Sequence, residues 1–199
     1  MRYILIFLLA VVHAWGEDGR VIIMRHGQAE HNVNDTYNAN PNGPNYTPSH
    51  LTKEGEAQAI QTARDLLSQG LIAETVHRVY VSPLPRTRET AMILVKEGVI
   101  SEKNIVIDER LIEVQVGKLE GKPIIRPWNE ELTKLHGTET TEQIQERIGS
   151  FAKEHLNSEK NQNVLVITHA ILAHELMKVC GAPRNEKIAT GGAVVIALK

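Results

Sequence analysis

Cysteine is nearly missing from this 199-residue chain: Cys180 stands alone, so no internal disulfide forms and no zinc cluster is built on cysteine ligands. A single thiol of this kind packs as a small apolar residue. Aromatic side chains are scarce, with two Phe, two Trp and four Tyr, which argues against a platform for stacked nucleic-acid bases. A dominant charge is missing too. The 22 Lys and Arg face 24 Asp and Glu, for a formal net charge of −2 with the signs interspersed, so the chain has neither a nucleic-acid footprint nor a polybasic membrane surface. No internal repeat, low-complexity tract or linker divides it, and its length suits one domain with a sizeable core.

Residues 1–16 differ from the rest. Arg2 precedes an almost purely apolar run, Tyr3 to Val12, and Val12-His13-Ala14 resembles a small-residue cleavage site. These are the three parts of a secretory signal peptide, and the run is shorter than the roughly 20 apolar residues a membrane helix needs. The expectation is a signal peptide or membrane-anchoring segment over 1–16, with a first strand of the domain as the bland alternative, ahead of a domain over 19–199. A cleaved signal implies export, periplasmic or secreted, with no stable membrane span left; a non-functional one leaves the protein cytoplasmic. The lack of disulfides is compatible with export, since a core of this size holds a domain by itself. Asn34-Asp35-Thr36 and Asn45-Tyr46-Thr47 fit the N-glycosylation pattern.

The domain reads as strands separated by helices. Val21-Ile22-Ile23-Met24 is an apolar run that stops at Arg25-His26-Gly27, the pattern of a buried strand whose carboxyl end opens into a site. His26 then stands at the mouth, and Gly27 lets the backbone turn and a ligand approach. The stretch from His31 to His50, rich in Asn, Pro and Gly, is a loop, either a substrate lid or a disordered excursion. Thr52 caps a helix to about Gln69, stopped by Gly70; Val76 to Val81 is a strand, and Arg86 to about Glu97 a helix starting where that strand ends. Ile105-Val106-Ile107 is a short strand. Thr140 and Gln143 form a capping box for a helix carrying Ile144, Ile148, Phe151 and Leu156. Val164 to Ile167 is the clearest buried strand and ends in Thr168-His169; a helix runs from there to Cys180, closed by Gly181 and Pro183, and Ala193 to Leu198 is a last strand. Without hairpin signals, this order predicts an α/β fold of three layers, α/β/α, around a mostly parallel sheet.

Two strands therefore end in histidines, His26 and His169, and a third leads into the helix that begins near Arg86. Two imidazoles and two arginines suit an oxyanion better than a metal, because there is no His-Glu-x-x-His and His169 to His174 is five residues. Glu113 stands near a loop it could cap, or near Arg110 with which it could pair; Asn32 fits a turn. His155 and His174 read as helix-surface residues, Lys118 and Lys122 as a solvated loop.

The motifs resemble those of the histidine phosphatase superfamily, the phosphoglycerate mutase-like proteins. Arg25-His26-Gly27-x4-Asn32 is similar to its signature, and four further blocks follow in the family's order: Leu51-Thr52-x2-Gly55-x2-Gln58-Ala59, Ser82-Pro83-Leu84-x-Arg86-Thr87-x2-Thr90-Ala91, Leu111-x-Glu113-x3-Gly117-x2-Glu120-Gly121 and Val166-Ile167-Thr168-His169. The resemblance implies that His26 attacks phosphorus and becomes phosphohistidine. It implies that Arg25, Arg86 and His169 bind the phosphoryl oxygens with Asn32 as an added donor, that Glu113 is the proton donor, and that no metal or cofactor is required. Ala29, His31 and Ala170 depart from the family's usual residues. The partner implied is a small phosphorylated substrate, with oligomeric state left open. Phosphomonoester hydrolysis leads; phosphoglycerate mutase-type transfer is the alternative within the family, and an inactive phosphate-binding protein the alternative outside it. Specificity falls to the His31–His50 loop and the Gly121–His136 segment, where Pro123, Pro127 and Trp128 offer an apolar wall.

Overall fold

The computed structural model describes residues 19–127, 129–156, 162–182 and 187–197. The signal-like residues 1–16, Trp128 and Pro183 lie outside them. Five strands build one sheet: β1 (Arg20–Arg25), β2 (Val76–Val81), β3 (Ile105–Ile107), β4 (Asn163–Thr168) and β5 (Ala193–Ala197). Their order is β3-β2-β4-β1-β5. The first four neighbours pair in parallel, and β5 closes the far edge antiparallel to β1.

Six helices accompany them: α1 (Glu30–Val33), α2 (Lys53–Ser68), α3 (Pro85–Lys96), α4 (Glu130–His136), α5 (Thr141–His155) and α6 (Ala170–Val179). The central strands β1 and β4 read as nearly unbroken apolar runs because both faces of the sheet are covered there. Ile22, Met24, Val79, Val81, Leu165 and Ile167 point to one face, under α2 and α3. Val21, Ile23, Tyr80, Val164 and Val166 point to the other, under α5 and α6. The three-layer α/β/α prediction is therefore the observed architecture. Among the described residues no helix is long and apolar enough to cross a membrane.

Two connections set the geometry of the carboxyl edge. A Cβ on Gly27 would lie 2.3 Å from the Gly55 carbonyl oxygen, and one on Gly55 would lie 2.0 Å from that of Gln28. The turn after β1 and the first turn of α2 thus meet backbone to backbone. The space expected at Gly27 for a ligand is filled by protein, which corrects the reading of that glycine. Gly27→Ala should lower stability by about 2 kcal/mol or more, because backbone on both sides must move; a urea midpoint equal to wild type would refute this.

The second connection is the His31–His50 loop, which begins in α1 and is neither a loose lid nor a disordered excursion. Glu120, buried at 1% exposure, accepts from the backbone N–H groups of Ala39 and Asn40. Tyr37 N–H donates to the Lys122 carbonyl and Gly121 N–H to that of Tyr37. Arg126 pairs with Asp35, and Ala39, Val116 and Leu119 form a small apolar cluster underneath. A buried carboxylate that receives several backbone donors fixes a loop, since leaving those groups unpaired costs more than the loop gains in freedom. The loop becomes a wall.

Candidate active site

The carboxyl ends of β1, β4 and β2 bring His26, His169 and Ser82 together. Arg86 joins them from the first turn of α3, whose first position is Pro85, a residue that loses nothing there by lacking an N–H. His26 is fixed at its backbone on both sides: its N–H donates to the Thr168 carbonyl at 3.1 Å, and its own carbonyl accepts from Gly191 at 2.8 Å. Its ring is 1% exposed, so it lies sealed beneath the loop rather than at an open mouth.

The two ring nitrogens of His26 are distinguished by their partners. Nδ1 is 2.7 Å from the Gly27 carbonyl oxygen, which only accepts, so the proton belongs on Nδ1. Nε2 then carries a lone pair, and it accepts from Arg86 Nε at 3.2 Å. Burial holds the imidazole well below the usual histidine range, and the Arg86 guanidinium adds to the effect. The side chain is a neutral base whose Nε2 electron pair is held by a cation.

Arg86 is fully buried and organises the rest. Its Nη1 and Nη2 donate to the side-chain and backbone oxygens of Asn38, both at 2.8 Å. Nη2 also lies 3.3 Å from His169 Nδ1. That nitrogen faces a donor, so the His169 proton is assigned to Nε2, which donates to Ser82 Oγ at 2.8 Å. Burial and then Arg86 push His169 well below its ordinary value as well. Burial lowers Arg86 itself to about 10, which leaves it cationic at neutral pH. Arg25 stands beside the cage with Nη1 donating to the Ile188 carbonyl at 3.3 Å, while its Nε is buried without a partner. A buried guanidinium N–H with nothing to donate to is a ready contact for an oxyanion.

Asn32 is close by but partly committed. Its Oδ1 accepts from Ala29 N–H and its Nδ2 lies 2.9 Å from His31 Nε2. His31 in turn reaches Ser49 Oγ with Nδ1, and its ring centroid is 5.7 Å from that of His26. Burial, with Arg86 next in importance, lowers His31 to about 3, so this third imidazole is neutral.

Glu113 approaches from the loop after the turn at Glu109–Leu111. Its Oε1 accepts from Val114 N–H, and its Oε2 is 3.7 Å from His169 Nδ1. It does not pair with Arg110, which is committed to Asp108 and Glu154. Burial raises the Glu113 carboxyl above its usual range, and Arg86 opposes without cancelling the effect. Its loop is held by Arg147, which donates to the carbonyls of Arg110 and Ile112 while its Nε and Nη2 engage Glu139.

A carboxyl whose pKa is raised by folding contributes stability that is whole below its unfolded pKa and lost as pH rises through the folded one. Glu113→Gln should therefore melt above wild type at pH 8 and coincide with it near pH 4. A wild-type advantage at pH 8 would show that the charged form is the favoured one.

Asn38 and Arg147 were not singled out in the sequence, where nothing local separates them from other loop amides and helix cations. His31 was noted as a departure from the family's usual residue and as the start of the loop. His155, read as a surface residue, is packed against Tyr80 and Phe151 with its side chain 19% exposed. The histidine pair and Arg86 were legible because each follows the end of a strand.

Residues 21–189 match the family model described as histidine phosphatase superfamily, branch 1. Phosphoserine phosphatase 1 of Hydrogenobacter thermophilus is 26% identical over 164 residues, covering 76% of this chain and 71% of that protein. Sedoheptulose 1,7-bisphosphatase of Saccharomyces cerevisiae is 27% identical over 176 residues, covering 75% and 63%. Among solved structures, mycobacterial glucosyl-3-phosphoglycerate phosphatase in complex with VO3 superposes with a TM-score of 0.68 at 19% identity, over 89% of this chain and 90% of that one. At that identity the likeness is one of fold.

Proposed function

The chain belongs to the histidine phosphatase superfamily, and from that premise we propose that it hydrolyses phosphomonoesters through a phosphohistidine on His26. The observation that carries this reading is the unprotonated Nε2 of a neutral His26, aimed at the Arg86 guanidinium. A phosphoryl dianion that draws Arg86 Nε–H away from His26 Nε2 frees the electron pair of that nitrogen, and is held by Arg86 and by the unspent Nε of Arg25. His26 Nε2 attacks phosphorus and the ester P–O bond breaks. Glu113, whose carboxyl burial shifts toward its protonated form, delivers a proton to the departing oxygen. Water then attacks the phosphohistidine, Glu113 takes up a proton from it, and the electron pair of the P–N bond returns to Nε2. His169 lines the cage, and Asn32 has one amide N–H left to offer.

The test is turnover of 4-nitrophenyl phosphate with EDTA present, combined with acid–base stability of the labelled enzyme: a phosphohistidine is lost in acid and survives alkali. Hydrolysis with such labelling supports the reading. Transfer of the label to a phosphoglycerate without release of phosphate would make the protein a mutase, and phosphate binding without labelling would make it an inactive binder. Residues 1–16 are proposed, on their sequence, as an export signal; N-terminal sequencing of the mature protein tests this.

A further inference from the structure

Arg86 is fully buried, yet among the described residues no carboxylate accepts a hydrogen bond from it. A charge so far from water ordinarily has such a partner, because leaving it unpaired is costly. Four of its N–H groups go instead to neutral acceptors, in two pairs. The end edge of the guanidinium, Nη1 and Nη2, meets the side-chain and main-chain oxygens of Asn38 at 2.8 Å each. The side edge, Nε and the second N–H of Nη2, meets His26 Nε2 at 3.2 Å and His169 Nδ1 at 3.3 Å. The short pair grips the fork, and the long pair is the one an oxyanion takes over.

Asn38 is itself held. Its Nδ2 donates to the Thr47 carbonyl at 2.8 Å, which leaves Oδ1 as the oxygen turned to Arg86. The next two backbone N–H groups, of Ala39 and Asn40, go to the buried carboxylate of Glu120. Glu120 thereby fixes the turn that presents Asn38, while its charge, like that of Glu113, reaches Arg86 through space and not by a hydrogen bond. A carboxylate in place of the Asn38 amide would offset the guanidinium charge at contact distance and leave less attraction for a phosphoryl dianion. An amide and a peptide carbonyl hold the fork without that loss.

We propose that Asn38 is a positioning residue for phosphoryl transfer: its two neutral oxygens clamp the end edge of Arg86, so that the side edge, with the cation's charge unspent, meets the phosphoryl group between His26 and His169. This rests on the phosphatase reading above. Asn38 acts through Arg86 and not on the substrate.

The experiment measures kcat/KM for 4-nitrophenyl phosphate against pH on the full chain, on Asn38→Ala and Asn38→Asp, and on Asn38→Ala combined with Arg86→Ala. Both substitutions lose the Thr47 bond, so the clamp and the charge are what separate them. Asn38→Ala should lower kcat/KM about tenfold, the scale of one hydrogen bond to a charged group, and leave the acidic limb in place. Asn38→Asp should lower it at least as far and move that limb to higher pH, because of Arg86, Arg25, His31 and His169, which face His26, it offsets the first. Once Arg86 is Ala, Asn38→Ala should cost about twofold or less, whereas a residue that only supports the loop would cost the same in both backgrounds. Equal losses in the two backgrounds, an Asn38→Ala variant within about twofold of wild type, or an Asn38→Asp variant with an unmoved limb would overturn the clamp. Should Asn38→Ala lack the wild-type urea midpoint, Asn38→Ser, whose shorter hydroxyl keeps a polar group in the turn, takes its place in the same comparison. If wild type does not turn over 4-nitrophenyl phosphate, the phosphatase reading fails separately, and calorimetry with inorganic phosphate decides the clamp. Affinity that Asn38→Ala weakens only while Arg86 is present supports it; equal weakening, no change or no binding refutes it.

Discussion

His26→Ala is expected to lower kcat by about 10⁴-fold or more and to abolish covalent labelling by a phosphate donor. The loss is this large because no neighbour can replace the nucleophile. His169 lies 5.1 Å away between ring centroids, but its Nδ1 faces Arg86 and its Nε2 is tied to Ser82, so neither nitrogen points a free pair at the same place. His31 is occupied at both nitrogens by Ser49 and Asn32. Phosphate should still bind to the variant, since Arg25 and Arg86 remain. Measurement of kcat, of labelling and of phosphate affinity on the same preparation separates the nucleophile from the anion cage. Residual turnover within tenfold of wild type would sink the assignment, whatever became of binding.

The second large effect is at Arg86. Its replacement by Ala should cut kcat/KM by about 10³-fold, the cost of removing a preorganised donor group from a charge that develops in the transition state. Arg86→Lys should recover only part of this. A single ammonium cannot hold Asn38 with two N–H groups and also face His26 and His169, as the planar fork does. A pH effect accompanies the loss. Arg86 helps keep His26 and His169 below the ordinary histidine range, so removing its charge lets both protonate more readily. The attacking form of His26 is the neutral one. The acidic limb of kcat/KM against pH should therefore move to higher pH in Arg86→Ala, with the direction read from profiles between about pH 4 and 8. An unmoved limb would mean that burial alone sets the histidine, and activity within tenfold of wild type would mean that Arg86 is a structural cation.

Asn38 connects this chemistry to the loop that covers it. Glu120 holds the N–H groups of Ala39 and Asn40, and the same turn presents Asn38 to Arg86. The wall over the nucleophile and the cation behind it are thus one hydrogen-bonded unit, formed by segments about eighty residues apart. Burial of so many polar groups is tolerated because nearly every one of them has a partner, and the Nε of Arg25 stands out as one that lacks it.

Local and periodic patterns in the chain account for its strands and helix starts. The apolar runs ending in Arg25-His26 and Thr168-His169 are strands buried on both faces, as short β-branched runs between turn and helix signals suggest. Thr52 and Thr140 start helices because their hydroxyls accept N–H groups that have no partner in the first turn, and the structure places both caps as expected. The histidine pair, Arg25, Arg86 and Glu113 could be named from these ends and from the ordered motifs. The tertiary structure decided what depends on meeting across the chain. β4 inserts between β1 and β2, which is what sets His169 beside His26, and strand order is a property of paired edges that no local pattern carries. The proton of His26 is placed by the direction of one carbonyl, Gly27, and the low affinity of that ring for a second proton by burial under a loop whose shape depends on Glu120. The roles of Asn38 and Arg147 arise the same way: each is a contact between residues distant in the chain, and its energy exists only once folding has brought them together.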